Sequence, residues 1–187
     1  QDNPLLVEDI DLLRQQVDTC KARLQTLVAN ADRRRLAKPE IVAAETWLRD
    51  VLQRWLVLRP DVSHHIEIPG KRGTPLIATD TTLEQAIMNL LNNAADANPR
   101  DIAITLDWTQ DDIIIDIRDH GPGVSMNIAD QLGETFISTK SKGMGIGLFL
   151  THATINRFGG GVSLYNHEEG GTLTEVKLPR ASAGAPA

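Results

Sequence analysis

Apolar residues in the first stretch fall at Leu6, Ile10, Leu13, Val17, Cys20, Leu24 and Leu27, in alternating steps of four and three. That is the a/d seam of a helix that pairs with another helix, held for about three heptads. Charged residues, among them Glu8, Asp11, Arg14, Asp18 and Lys21, take the other positions. An amphipathic helix lying on a domain of its own chain is the alternative, but it would carry a broader apolar face than this stripe. Arg33-Arg34-Arg35 closes the helix in a cationic turn, and Pro39 stops any continuation. A hinge between two units is expected at 33–40.

The rhythm then changes. Ile41 to Leu58 reads as one helix, with Val51, Leu52, Trp55 and Leu58 facing a core. Val62 to Ile68 alternates like a strand, and Leu76 to Thr79 is a short one. Asp80 or Thr81 caps a helix from Leu83 to Ala97, which Asn98-Pro99 ends. Ile102 to Trp108 and Ile113 to Arg118 form a hairpin over 109–112. An irregular stretch, 119–143, precedes a helix from Met144 to Phe158. Gly161 to Asn166 and Thr172 to Leu178 make a last hairpin over Glu169-Gly170-Gly171, and a small, polar tail ends the chain. Helices in blocks and strands in hairpins predict an α+β fold: a two-layer α/β sandwich with a mixed, mostly antiparallel sheet. The expected division is 1–38 for the paired helix, 39–180 for the sandwich and 181–187 for a disordered tail.

Composition narrows the function. The chain has 187 residues, 24% of them charged, with a net charge of −6 and 4% aromatics. No basic stripe dominates and base-stacking platforms are few, so a nucleic-acid partner is not expected. The single cysteine, Cys20, excludes an internal disulfide framework and fits a reducing compartment. No apolar run reaches the ~20 residues of a membrane span. Gln1 is not a natural initiator, so the chain is expected to be part of a longer protein.

Three patterns carry chemistry. Asn89, Asn93 and Asp96 share one face of a helix, an oxygen-rich ridge suited to a partly hydrated Mg²⁺; a plain solvent face is the alternative. Asp119-His-Gly121-Pro-Gly123 follows a strand, placing a carboxylate at a pocket mouth where it can accept from an exocyclic amine such as adenine's. A plain turn would look the same. Lys140-Ser-Lys142-Gly143-Met-Gly145-Ile-Gly147-Leu148 opens a helix, with exposed N–H groups, the helix dipole and two lysines forming a phosphate cradle. It is not a P-loop, because no Gly-Lys-Ser/Thr follows, and no βαβ unit supports a Rossmann site.

In this order the patterns resemble the boxes of histidine kinases. Asn89-Leu-Leu-Asn-Asn93-Ala looks like the N box and Asp119-His-Gly-Pro-Gly123 the G1 box. Glu134-Thr-Phe136-Ile-Ser-Thr139-Lys140 looks like the F box, Gly143-Met-Gly145-Ile-Gly147-Leu148 the G2 box, and Gly170-Gly171-Thr172 the G3 region. The resemblance spans roughly residues 40–180 and implies the GHKL fold, ATP and Mg²⁺, with a lid over 124–143. It assigns Mg²⁺ ligation to Asn93 with support from Asn89, and adenine recognition to Asp119. Gly121 and Gly123 would shape the adenine pocket. Lys140, Gly143, Gly145, Gly147, Leu148 and Thr172 would line the nucleotide, and Phe136 would anchor the lid. The role of Asp96 stays open.

Leu12 to Arg23 resembles the second dimerisation helix of redox-responsive kinases of the RegB/PrrB type, which carry a cysteine at the place of Cys20. The resemblance implies a homodimer through the first helix, a redox handle at Cys20, a response-regulator receiver domain as partner, and a cytoplasmic unit of a protein anchored in the inner membrane. No histidine precedes His64, so the phosphoacceptor helix is expected outside this chain. A GHKL-type ATPase is the alternative, but such enzymes hold a general-base glutamate where this chain has Asn89, and an amide is no base at neutral pH. The remaining alternative is a non-catalytic dimerisation module.

Overall fold

The computed structural model describes residues 39–68, 73, 75–123 and 146–182. The first helix with Cys20, the arginine run, the F box, the lid, Lys140, Gly143 and Gly145 lie outside the described residues.

The chain runs β1 (Glu40–Ala43), α1 (Ala44–Leu58), β2 (His64–Glu67), β3 (Leu76–Thr79), α2 (Thr81–Ala97), β4 (Ile102–Trp108), β5 (Asp112–Arg118), α3 (Ile146–Arg157), β6 (Gly161–Asn166) and β7 (Thr172–Pro179). Five strands form one sheet in the order β2-β4-β5-β7-β6, and only the β2–β4 pair is parallel. That pair needs a crossover, which α2 provides. The α+β sandwich and its mixed sheet are as expected.

One face of the sheet is covered. Ile102, Ile104, Leu106 and Trp108 alternate with half-buried residues along β4, as Ile113, Ile115 and Ile117 do along β5. These side chains form one core with Trp47, Leu48, Val51 and Trp55 of α1 and Leu83, Ile87, Leu90 and Leu91 of α2. The period of two in the strands and the 3.6-residue period in the helices meet at this layer. The other face is polar: Asp116 lies opposite Glu175, and burial, then Glu175 and Asp107, push its carboxyl up.

Two expectations need correction. The single helix over Ile41–Leu58 is a strand followed by a helix: Glu40–Ala43 pairs antiparallel with Leu76–Thr79. Two β-branched residues, Ile41 and Val42, suit the strand, but in sequence they run without a break into the apolar positions of α1. Leu58, placed in the core from periodicity, is 71% exposed, because α1 ends there. Of the expected tail only 181 and 182 are described, and there the Ala181 N–H donates to the Leu76 carbonyl at 2.8 Å.

Asp80 is the cap of α2. Its Oδ1 accepts from the N–H groups of Thr82 at 2.8 Å and Leu83 at 3.0 Å, and its Oδ2 meets Arg157 of α3 at 2.8 Å. Burial pushes the carboxyl up, but the Thr82 hydroxyl, the Leu83 N–H and Arg157 outweigh it, and the group titrates below the usual carboxylate range. The stability it contributes is present above the unfolded value of about 3.9 and is lost as pH falls through the lower folded value. Asp80→Ala is expected to cost about 1–2 kcal/mol in denaturant unfolding at pH 7, and the gap to the parent chain should close as the pH is taken toward that of acid unfolding.

Candidate nucleotide site

Asp119 follows the last residue of β5 and is 5% exposed. Its Oδ1 accepts two backbone N–H groups, from Gly121 at 2.8 Å and from Thr172 at 3.3 Å. Its own N–H donates to the Thr172 carbonyl at 2.9 Å. One oxygen is thus held by the protein while no described residue donates to Oδ2. The carboxylate is oriented by these two bonds, and its other oxygen is still able to accept.

Glycines make this junction possible. A side chain at Gly121 would stand 2.8 Å from Cβ of Ala97, the last residue of α2. One at Gly123, where φ is +78°, would stand 2.7 Å from Oδ1 of Asn166 at the end of β6. The turn after β5 is therefore pressed between the C-terminal end of α2 and the β6–β7 hairpin. Asn98, just past α2, donates through Nδ2 to the His120 carbonyl at 3.2 Å and ties the same turn to the helix.

Asn93 is half-buried on α2, and no described residue bonds to its amide. Among the described residues nothing occupies its oxygen, and one neutral oxygen suits a cation that keeps most of its ligands from water and phosphate. Among the described residues no group of three or more His, Cys, Asp or Glu side chains could hold a metal by itself. Mg²⁺ would therefore fit at Asn93 only together with a phosphate-bearing ligand. The Asn89 Oδ1 accepts from Gln85 Nε2 at 3.2 Å. Asp96, aligned with them in sequence, is an ion-pair partner of Arg59 at 3.0 Å.

The polar network beside the ridge was not anticipated. Asn92 accepts from the Trp55 indole at 3.0 Å, and Arg59 spans from Asn92 to Asp96. These contacts join α1 to α2 across 33 to 37 residues of sequence. The only local signal for them is two polar residues, Asn92 and Asp96, spaced i, i+4 on α2.

The helix α3 follows the glycine-rich segment. Gly147, in its first turn, has open space where a side chain would be, so its backbone can be approached closely, and Leu148 packs against the core. Asp119, Gly121, Gly123 and Thr172 are thus brought to one junction, with α2 ending on it. Of the five histidines, His64 and His65 are exposed on β2, and His120 sits in the Asp119 turn with Nδ1 3.0 Å from the Asp101 carbonyl. His152 and His167 bond to Asn156 and to the Glu169 N–H. No helix among the described residues is long and apolar enough to cross a membrane.

Comparison with known proteins places this geometry. The profile of histidine kinase-, DNA gyrase B-, and HSP90-like ATPases matches residues 78–182, more than half of the chain. The C4-dicarboxylate transport sensor protein DctS of Rhodobacter capsulatus is 34% identical over 126 residues, 64% of this chain and 18% of that protein. Sporulation kinase A of Bacillus subtilis is 30% identical over 100 residues, 52% of this chain and 16% of that kinase. The chain thus spans less than a fifth of either relative. Among solved structures, the mycobacterial sensor histidine kinase MprB superposes with a TM-score of 0.65 at 22% identity, over 76% of this chain and 97% of that one. Full-length ShkA in complex with AMPPNP gives 0.64 at 21%, over 80% and 33%.

Proposed function

Because this chain belongs to the histidine kinase-, DNA gyrase B-, and HSP90-like ATPases, we propose that it is the ATP-binding catalytic part of a sensor histidine kinase. The γ-phosphoryl group of bound ATP would pass to a histidine elsewhere in the protein and then to the receiver domain of a response regulator. The observation that carries this reading is the Asp119 carboxylate, with Oδ1 fixed by two backbone N–H groups and no described donor on Oδ2. In this reading it accepts from the adenine amine, and the Asn93 amide, to which no described residue bonds, lies on the helix that ends against its turn. Mg²⁺ bound with ATP would neutralise the phosphate charge. The protein's part is to orient: Asp119 fixes the base, Asn93 the metal side, and the first turn of α3 the phosphates.

The sensor kinases among the relatives favour phosphoryl transfer over hydrolysis. So does Asn89, whose amide accepts from Gln85 and has no capacity to take a proton from water. Dimerisation through the first helix, redox control at Cys20, phosphate contacts from Lys140, Gly143 and Gly145, and a membrane anchor elsewhere in the protein complete the proposal.

The test is calorimetric titration of ADP and a non-hydrolysable ATP analogue, each with Mg²⁺ and with chelator. Saturable binding strengthened by Mg²⁺ is expected, and no binding by the chain overturns the proposal. Asn93→Ala should lose about tenfold in the Mg²⁺ titration and little in chelator. An equal loss in both would place Asn93 off the metal.

A further inference from the structure

His120 stands between Asp119 and Gly121, and its ring is held at both nitrogens. Nδ1 lies 3.0 Å from the Asp101 carbonyl oxygen, and Nε2 is 3.4 Å from Arg118 Nε. A carbonyl only accepts and a guanidinium only donates. The two partners therefore select one form of the ring: neutral, with its proton on Nδ1. Arg118 reaches Glu169 of the β6–β7 turn with its other end, at 3.5 Å.

Asp101 is unusual in its own right. It is the one described non-glycine residue with a left-handed backbone, at φ +62°. Aspartate tolerates that region better than most residues, and such a conformation persists where its surroundings fix it. Here they do. The Ser63 N–H donates to the Pro99 carbonyl and the Ile102 N–H to the Ser63 carbonyl, both at 3.0 Å, and Asn98 Oδ1 accepts from the Arg100 N–H at 3.0 Å. The β4–β5 ladder ends with Ala103 opposite Arg118, so continuing its register sets Asp101 opposite His120. The left-handed residue stops the ladder, and the ring N–H takes the Asp101 carbonyl in place of a backbone N–H.

We propose that His120 is a positioning residue of the nucleotide site: as the Nδ1–H tautomer it tethers the Asp119 turn to the connection between α2 and β4, and so keeps Asp119 on its two backbone donors. This rests on the reading of Asp119 as the adenine acceptor. Thr172 holds the carboxylate from β7, while the His120 ring and the Asn98 amide hold the chain that carries it.

The test begins with the ¹⁵N–¹H correlation of the histidine rings at alkaline pH, where His120→Asn identifies the His120 signals. The Nδ1–H pattern is expected, and the Nε2–H pattern overturns the proposal. Hydrogen exchange of the Gly121 and Thr172 amides, the two that donate to Asp119, then reads the tether without nucleotide. Asparagine keeps an N–H donor near the place of Nδ1, and leucine has similar bulk and none. His120→Asn should keep the protection of both amides and bind ADP within about twofold of the parent chain, whereas His120→Leu should lose about tenfold in each. Parent-like values in His120→Leu, or equal losses in the two variants, overturn the tether. A parent chain that binds no ADP would instead overturn the adenine reading, and the tautomer and the exchange rates would still decide the role of His120.

Discussion

Asp119→Asn is expected to weaken adenine-nucleotide binding about 100-fold, as much as Asp119→Ala, although asparagine has nearly the shape of aspartate. The reason lies in the count of donors around the group. Oδ1 already accepts from Gly121 at 2.8 Å and Thr172 at 3.3 Å, and the adenine amine would bring a third donor to Oδ2. An amide has one acceptor and one donor end. If its oxygen faces the two backbone N–H groups, its NH₂ faces the adenine amine. If it flips, its NH₂ faces the backbone donors. Either way two donors meet in a site that is 5% exposed. A lost charge-assisted bond and an unpaired buried donor together amount to about 3 kcal/mol, or about 100-fold. Calorimetry with ADP reads it directly. Near-parent affinity in Asp119→Asn would mean that Oδ2 does not face the base.

Much of this site was visible in sequence as glycines and polar residues at strand and helix ends, but not as contacts. Asp119 at the end of β5 and the glycines after it could be read as a carboxylate on a sharp turn. That Thr172 would supply its second N–H could not, because the two are 53 residues apart. They meet because β5 pairs with β7 so that Arg118 lies opposite Leu173, and a register is a property of the folded sheet. Asp96 shows the same limit from the other side. Its spacing aligned it with Asn89 and Asn93, yet Arg59 claims it, a partner that only the packing of α1 on α2 supplies. The strands and α2 were legible because each carries one unbroken period and a recognisable end, such as the Asp80 cap. β1 was not, since four residues are too few to display a period of two beside a helix.

Gly171→Ala should be the most damaging single-methyl change in the described chain, and its neighbour provides the control. Both Gly170, at φ +90°, and Gly171, at φ +80°, adopt a backbone that disfavours any side chain, at about 1–2 kcal/mol each. At Gly170 an added Cβ meets nothing within 4 Å. At Gly171 it would fall on the Asp119 carbonyl oxygen and lie 2.8 Å from the His120 Cα. These are backbone atoms, so no side-chain rotation relieves the clash. The hairpin must move off the β5 end, and with it goes the Thr172 N–H that holds Oδ1. Gly170→Ala is therefore expected to lose only the strain, with ADP affinity near that of the parent chain. Gly171→Ala should lose about 3 kcal/mol or more of stability and at least about tenfold in ADP affinity where it still folds. Denaturant unfolding and calorimetry on the two variants separate the effects. Equal losses in both would show that strain alone governs the turn, and that Asp119 does not depend on the β6–β7 hairpin for its orientation.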